Sequence, residues 1–248
     1  MAEAWNEGRV VALKHWGGRL YSLLMEAQIA PFEAGQFVKI GLPIDGEMVG
    51  RPYSLVNAPG EQPLEFYFIT VDDGPLSQRL VQLQPGDPMY IAPRTAGFLV
   101  LSEVPQAKHL WLLATGTGVG PFLSMLKTAT PWERFEKVVL VQAVRTSAEL
   151  TYRETVAAIA AEHPEQFIFV PFVSRENTEF AIRARIPQAI DDGRLEARVG
   201  LSLSPGDSQF MLCGNPEMVR DTTDTLIARG FKKHRRRNPG HITVEAYW

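Results

Sequence analysis

Apolar and polar positions alternate in two different ways along the chain, and the change falls near residue 103. From Arg9 to about Leu101 the apolar residues recur in short, interrupted segments: "RVVALKHW", "RLYSLLMEA", "QFVKIGL", "EMVGRPYSLV" and "LEFYFITV". Turn formers separate them at Gly17-Gly18, Pro31, Gly41, Pro59-Gly60 and Pro85-Gly86. Short strands at this spacing predict an antiparallel barrel or sandwich. One stretch, "PLSQRLVQL", has helical spacing instead, with Leu76, Leu80 and Leu83 on one side.

After "LSEVPQAK" the apolar runs become continuous and alternate with helical stretches. The predicted order is strand "HLWLLAT", helix from Val119, strand "KVVLVQAV", helix from Ala148, strand "FIFVPFV", helix near Ile186, strand "QFMLCG", helix from Pro216, and a last strand in "HITVEAYW". Continuous apolar strands are what a parallel sheet covered on both faces requires. The expected fold is thus two-domain, an antiparallel β domain over residues 1–103 and an α/β doubly wound parallel-sheet domain over 104–248, with the boundary in Ser102 to Lys108.

The first strand of the second half runs into "ATGTGVGP", with Gly116, Gly118 and Gly120 spaced G-x-G-x-G. Strand, glycine turn and helix in that order aim free backbone N–H groups at an anion, typically a phosphate. The dinucleotide fingerprint would place its third glycine at position 121, where Pro121 stands. Proline is tolerated in a first helical turn because its missing N–H would be unpaired there anyway. No Gly-Lys-Ser/Thr follows, so the turn is not a P-loop. Taken alone, the motif also fits a βα turn that holds no ligand.

The ends of the next strands add charge. NAD-binding sheets usually end their second strand in Asp or Glu for the ribose hydroxyls. Here "VVLVQAVR" ends in Val144-Arg145, the third strand ends in "FVSR" with Ser174 and Arg175, and "FAIRARIP" supplies Arg183 and Arg185. Guanidiniums at carboxyl ends of parallel strands suit a phosphate monoester, and the 2′-phosphate of NADP is the natural one. Singly, each arginine reads equally as a solvated surface charge.

Composition narrows the classes without choosing among them. Apolar residues make up 45% of 248 and the net charge is −3, which suits a packed core and excludes a global nucleic-acid or membrane-surface signature. One cysteine, Cys213, rules out an intrachain disulfide framework and a [2Fe–2S] cluster of its own. His15, His109, His163, His234 and His241 show no ligand spacing, so no metal site is expected. The start "MAEAWNEGRVVALKHW" lacks the basic and apolar regions of a signal peptide, and no apolar run nears the ~18 residues of a spanning helix, so a cytoplasmic location is expected.

Five motifs stand in order along nearly the whole chain: "RPYS" (Arg51 to Ser54), "DGPLSQRL", "ATGTGVGP", "CGNPEMVRDT" and the ending "VEAYW". On these the chain resembles the bacterial-type ferredoxin/flavodoxin–NADP reductases of the plant-type ferredoxin reductase superfamily. The resemblance implies a barrel holding FAD, and an enzyme that exchanges electrons between NADP(H) and ferredoxin or flavodoxin by hydride transfer and a flavin semiquinone. It implies that Arg51, with Pro52 beside it, pairs the FAD pyrophosphate, that Tyr53 lies against the flavin, and that Ser54 sits near flavin N5. Tyr67, Pro75, Leu76 and Ser77 would line the flavin and phosphate path, with Thr117 close by. Tyr247 would cover the opposite flavin face and Trp248 would stack on the adenine.

For NADP the resemblance implies Gly116, Thr117, Gly118, Val144, Arg145, Ser174, Arg175, Arg185, Asn215, Pro216 and Glu217 as the binding set. Cys213 would lie beside the nicotinamide, although a lone cysteine in an apolar strand is also ordinary core. Glu245 would relay protons or position the nicotinamide; a barrel-edge or inter-domain hydrogen bond is the plainer role. The basic run "KKHRRR", with Lys232, Lys233, Arg235, Arg236 and Arg237, would steer an acidic carrier or is a solvated loop, with nucleic-acid binding a weaker third reading for want of a stacking module. Three other functions stay open: an NADH-dependent reductase component of an oxygenase, a free-flavin or quinone reductase, and a non-catalytic nucleotide-binding subunit of a redox complex. Nothing in the sequence demands more than a monomer.

Overall fold

The computed structural model describes residues 4–247. Its first half is a six-stranded antiparallel sheet formed by β1 (Asn6–Gly17), β2 (Leu20–Glu26), β3 (Phe37–Ile44), β4 (Glu47–Ser54), β5 (Leu64–Ile69) and β6 (Pro88–Ile91). The order is β4-β3-β6-β1-β2-β5. The two edge strands meet where Leu55 bridges Phe66 and the Val56 N–H donates to Glu65 O at 3.0 Å, so the sheet closes into a barrel. Closure leaves fewer open backbone edges than a sandwich would.

The helix expected in "PLSQRLVQL" is α1 (Pro75–Leu80), and it is shorter than predicted. Leu76 and Leu80 enter the barrel core, whereas Leu83 lies beyond the helix, half-buried. Strand β6, "PMYI", is a pairing that the sequence pattern missed; it is only four residues long, between turns.

The second half contains β7 (His109–Thr115), β8 (Lys137–Val144), β9 (Phe167–Val173), β10 (Ser208–Gly214) and β11 (Ile242–Ala246), all parallel, in the order β11-β10-β7-β8-β9. Flanking them are α2 (Val119–Leu126), α3 (Thr130–Arg134), α4 (Arg153–Glu162), α5 (Ile186–Asp191), α6 (Arg194–Val199) and α7 (Pro216–Ala228). Strand order reverses between β7 and β10, so the crevice outside their carboxyl ends is the switch point where open α/β sheets bind ligands.

One predicted element is corrected. No helix starts at Ala148: Ser147–Glu149 make a single 3₁₀ turn, and Tyr152 adopts φ 57°, a left-handed conformation that delays α4 to Arg153. This conformation is uncommon for a bulky residue and persists where tertiary contacts compensate.

Helix α2 couples the two sheets. All eight of its residues are buried, with Phe122, Leu123 and Met125 fully so. At about 25 cal/mol per Å² of apolar surface, each such side chain contributes about 2–3 kcal/mol. On its barrel side the Ser124 hydroxyl donates to Asn57 O at 2.7 Å, and Lys127 Nζ donates to Val56 O at 3.1 Å. Pro121 is the third residue of α2, within the first turn, where its missing N–H leaves no gap in the helix.

Candidate functional site

The carboxyl ends of β7 and β10 approach each other closely because both carry glycine. A Cβ at Gly118 would come within 2.4 Å of Cys213 O, and one at Gly214 would come within 2.3 Å of Thr115 Oγ1. Gly214 also has φ 132°, a conformation that only glycine adopts freely. Thr115 Oγ1 accepts from the Asn215 N–H at 2.9 Å, stitching the two strand ends together. Gly116 to Gly118 form a 3₁₀ turn leading into α2. A side chain at Gly116 would meet nothing within 4 Å, so the turn faces open space. Thr117 is buried beneath it.

Asn215 caps α7: its Oδ1 accepts from the N–H groups of Glu217 (2.9 Å) and Met218 (3.2 Å), and Pro216 takes the first helical position. Asn215 and Glu217 are exposed beside the glycine turn. Cys213 is fully buried, and burial pushes its thiol well up, with the Glu245 charge adding to the effect. It is therefore a protonated packing group, not a thiolate nucleophile.

The chain end brings the two sheets together. β11 pairs with β10 so that Glu245 lies opposite Cys213, and the Tyr247 N–H donates to Gly214 O at 3.0 Å. The Tyr247 hydroxyl then donates to Ser54 Oγ of the barrel at 2.9 Å. Burial raises the Tyr247 phenol well above its ordinary range. The Glu245 carboxyl is pushed up to about 7 by burial, with the Ser54 hydroxyl pulling it down, and its Oε1 is buried without a hydrogen-bond partner. Ser54, Cys213, Glu245 and Tyr247 therefore form one cluster between the β4 end and the β10–β11 ends. Trp248 lies outside the described residues.

On the barrel side, Arg51 and Pro52 are exposed on β4, and Arg51 Nη1 donates to Gly50 O at 2.8 Å. Tyr53 packs edge-on to Phe68 with ring centroids 5.8 Å apart, and burial lifts its phenol to about 12. Helix α1 packs against β3 and β4, with Pro75 at its start. The Ser77 hydroxyl is already engaged, accepting from the Val71 N–H and donating to Gly74 O, and Leu76 points into the core. Of the Pro75–Ser77 segment, then, the side chains of Leu76 and Ser77 are turned inward.

Tyr67 stands elsewhere, in the contact between the two sheets. Its hydroxyl accepts from Thr151 Oγ1 at 2.9 Å, and its ring meets Tyr152 edge-on at 5.1 Å. Beside it runs a hydrogen-bonded chain that sequence reasoning did not find. Trp16 Nε1 donates to Ser22 Oγ at 2.8 Å, Ser22 Oγ and Tyr152 Oη are 2.6 Å apart, and Tyr152 Oη donates to Glu65 Oε1 at 2.5 Å. Since the tyrosine proton goes to the carboxylate, the serine proton goes to the tyrosine. Burial, reinforced by Glu65, keeps the Tyr152 phenol protonated. Tyr152, at φ 57°, thus reaches across to Ser22 and Glu65 of the barrel.

At the outer strand ends, Val144 is buried and its carbonyl accepts from the Ser174 N–H at 3.1 Å. Arg145, Arg175 and Arg185 are exposed, and none of their guanidiniums has a hydrogen bond or ion pair among the described residues. Arg183 differs, donating to Asn177 Oδ1 at 2.6 Å. The basic run is only partly free: Arg236 pairs Glu103 at 2.6 Å and lies 4.1 Å over the exposed Phe98 ring, and the Lys232 N–H is bound by His241.

A closed antiparallel barrel, followed by a doubly wound sheet whose last strand returns a tyrosine to the barrel, is the architecture of the two-domain nicotinamide-dependent flavoprotein reductases. Residues 112–224 match the oxidoreductase NAD-binding domain. The flavodoxin/ferredoxin–NADP reductase of Escherichia coli K12 is 46% identical over 98% of this chain and 99% of its own length. The ferredoxin–NADP reductase of Pseudomonas aeruginosa is 37% identical over 99% and 98%. A crystal structure of a ferredoxin–NADP⁺ reductase from Neisseria gonorrhoeae, with bound FAD and NADP, superposes with a TM-score of 0.94 over all of both chains at 32% identity. The chain belongs to the flavodoxin/ferredoxin–NADP reductase family.

Proposed function

We propose that this protein binds FAD in its barrel and NADP(H) on its parallel sheet, and exchanges electrons between NADP(H) and ferredoxin or flavodoxin. The observation that carries the reading is the meeting of Ser54 with Tyr247, Glu245 and Cys213 beside the glycine-lined switch point. The reading divides the chain into an FAD domain, 1–103, and an NADP domain, 104–248. Bound flavin supplies the chemistry, taking two electrons from the nicotinamide and releasing them singly; the protein's share is placement, exclusion of water and the handling of protons.

The residues present fit both groups. Glu245 Oε1 is a buried polar atom without a partner, and Gly116 opens onto free space. In this assignment Arg51 and Pro52 hold the FAD pyrophosphate, and Tyr53 and Tyr247 flank the flavin. Main-chain groups of Pro75, Leu76 and Ser77, with Thr117, complete the cradle. Tyr67 braces it from the inter-domain side. Gly116, Thr117, Gly118, Asn215, Pro216 and Glu217 frame the nicotinamide nucleotide. Val144, Arg145, Ser174, Arg175 and Arg185 receive its 2′-phosphate, where three unpaired guanidiniums favour a dianion over a hydroxyl.

Tyr247 lies on Ser54, so its side chain must give way for the nicotinamide to reach the reacting edge. Ser54 accepts from Tyr247, so its own hydroxyl proton is left to donate. Glu245, with a carboxyl near 7, holds or gives a proton at Oε1 around neutral pH. Cys213 contributes an apolar, protonated wall. Lys233, Arg235 and Arg237, with Lys232 and the partly paired Arg236, attract an acidic carrier. The protein works as a cytoplasmic monomer. The names of the relatives favour this reading over an NADH-dependent oxygenase component, a free-flavin or quinone reductase, or a non-catalytic subunit. An anaerobic NADPH titration tests it: a tightly bound yellow flavin bleaches at about one equivalent. A flavin that stays oxidised overturns it.

A further inference from the structure

Two carboxylates stand in the same loops as the unpaired Arg145 and Arg175, and neither is paired with them. Glu149 Oε2 accepts from the Arg145 N–H at 2.9 Å, and Glu176 Oε2 accepts from the Ser147 N–H at 2.7 Å. The Ser147 N–H, joined by its hydroxyl, holds the Glu176 carboxyl below its ordinary value. Both side chains are half-buried. Between them, the Arg145 carbonyl accepts from the Arg175 N–H at 2.9 Å. Arg145 is thus held at both of its backbone groups. The loop after β9 is tied to the loop after β8 by the Arg145–Arg175 backbone bond and the Ser147–Glu176 bond.

We propose that Glu176 and Glu149 are positioning residues for dinucleotide specificity: by binding backbone N–H groups they hold Arg145 and Arg175 side by side, and they leave both guanidiniums free for the 2′-phosphate. This inference rests on the 2′-phosphate assignment above. Two adjacent arginines repel one another, so a site that needs both must fix their loops by other bonds. A free carboxylate at this spot would pair with an arginine and cancel the charge that the phosphate needs. Engaging each carboxylate with a main-chain N–H removes that competition and stiffens the loops. Glu149 has a further consequence. An acid near the end of the second strand is the residue type that binds a 2′-hydroxyl in NAD-selective sheets, and here it faces the backbone instead.

A simple electrostatic view predicts the opposite sign. If Glu176 acted only through its charge, removing it would tighten phosphate binding. The test uses the holoenzyme and calorimetric binding of 2′-phospho-AMP and 5′-AMP. Glu176→Ala is expected to weaken 2′-phospho-AMP about tenfold, the loss of one hydrogen bond to a charged group, with 5′-AMP unchanged. Glu176→Gln, whose amide oxygen still accepts from the Ser147 N–H, is expected to restore most of the affinity. Tighter or unchanged 2′-phospho-AMP binding in Glu176→Ala overturns the inference, as does equal weakening of both ligands. Arg175→Ala separates the two levels. Selective loss of 2′-phospho-AMP there, with no effect of Glu176→Ala, overturns this inference alone. Equal effects of Arg175→Ala on both ligands overturn the 2′-phosphate assignment and this inference with it.

Discussion

Replacing Tyr152 with phenylalanine removes one oxygen and breaks the chain that joins the two sheets. The Tyr152 hydroxyl donates to Glu65 Oε1 at 2.5 Å and accepts from Ser22 Oγ, 2.6 Å away. The first bond ends on a charged group, worth about 1.5–3 kcal/mol, and the second is neutral, worth about 1. Glu65 is half-buried, and water reaching it recovers part of the loss. The expected cost is about 2–3 kcal/mol, which in a chain of this size lowers Tm by about 4–12 °C. Thermal unfolding of the flavin-loaded protein, followed by circular dichroism, reads the shift. The double variant with Glu65→Gln should cost less than the sum of the singles, because the two share one bond. A Tm change under about 1 °C, or strict additivity, would refute the claim that this chain holds the sheets together.

Four other outcomes follow from the site. Arg175→Ala should raise the KM for NADPH far more than that for NADH; equal changes would remove the phosphate role from Arg175. Glu245 stays protonated to about 7 in the folded protein but only to about 4.5 when unfolded. Its raised value thus stabilises the fold at low pH, and that contribution, about 3 kcal/mol, is lost as pH rises through 7. Glu245→Gln lacks this loss, so its Tm advantage over the parent should grow from pH 5 to pH 8; a constant difference would contradict the burial argument. Deleting Tyr247 and Trp248 should loosen FAD on gel filtration or alter nicotinamide selectivity, and unchanged flavin content and kinetics would count against the stacked tail. Charge reversal at Lys233, Arg235 and Arg237 should slow carrier reduction and flatten its dependence on ionic strength, with no such change if the run is only a solvated loop.

What could be read from the sequence follows physical necessity at each element. The parallel strands were readable to the residue in three cases, His109–Thr115, Lys137–Val144 and Phe167–Val173, because burial on both faces forces continuous apolar runs. The glycines at 116, 118 and 120 were readable as a strand–turn–helix anion site, but the close approach of Gly118 to Cys213 and of Gly214 to Thr115 was not, because it joins strand ends about a hundred positions apart. Tyr152 was not legible. Its left-handed backbone accompanies hydrogen bonds to partners more than eighty positions away, Glu65 and Ser22, and no local pattern records them. Leu83 followed the helical period, yet α1 ends at Leu80, so periodicity overran the helix end. The arginines were visible as residue types. That Glu149 and Glu176 bind backbone and leave them unpaired depends on loop geometry that spacing does not specify. The run at 232–237 looked uniformly free, and only the fold brings Glu103 to Arg236.

The most direct test of the central claim is electron balance between nucleotide and carrier. Purified protein, NADPH and flavodoxin or ferredoxin are mixed without oxygen, and both spectra are followed. The account predicts two one-electron carriers reduced per NADPH oxidised, with NADH a poor substitute. Oxidation of NADPH without carrier reduction, or equal rates with NADH, would contradict it.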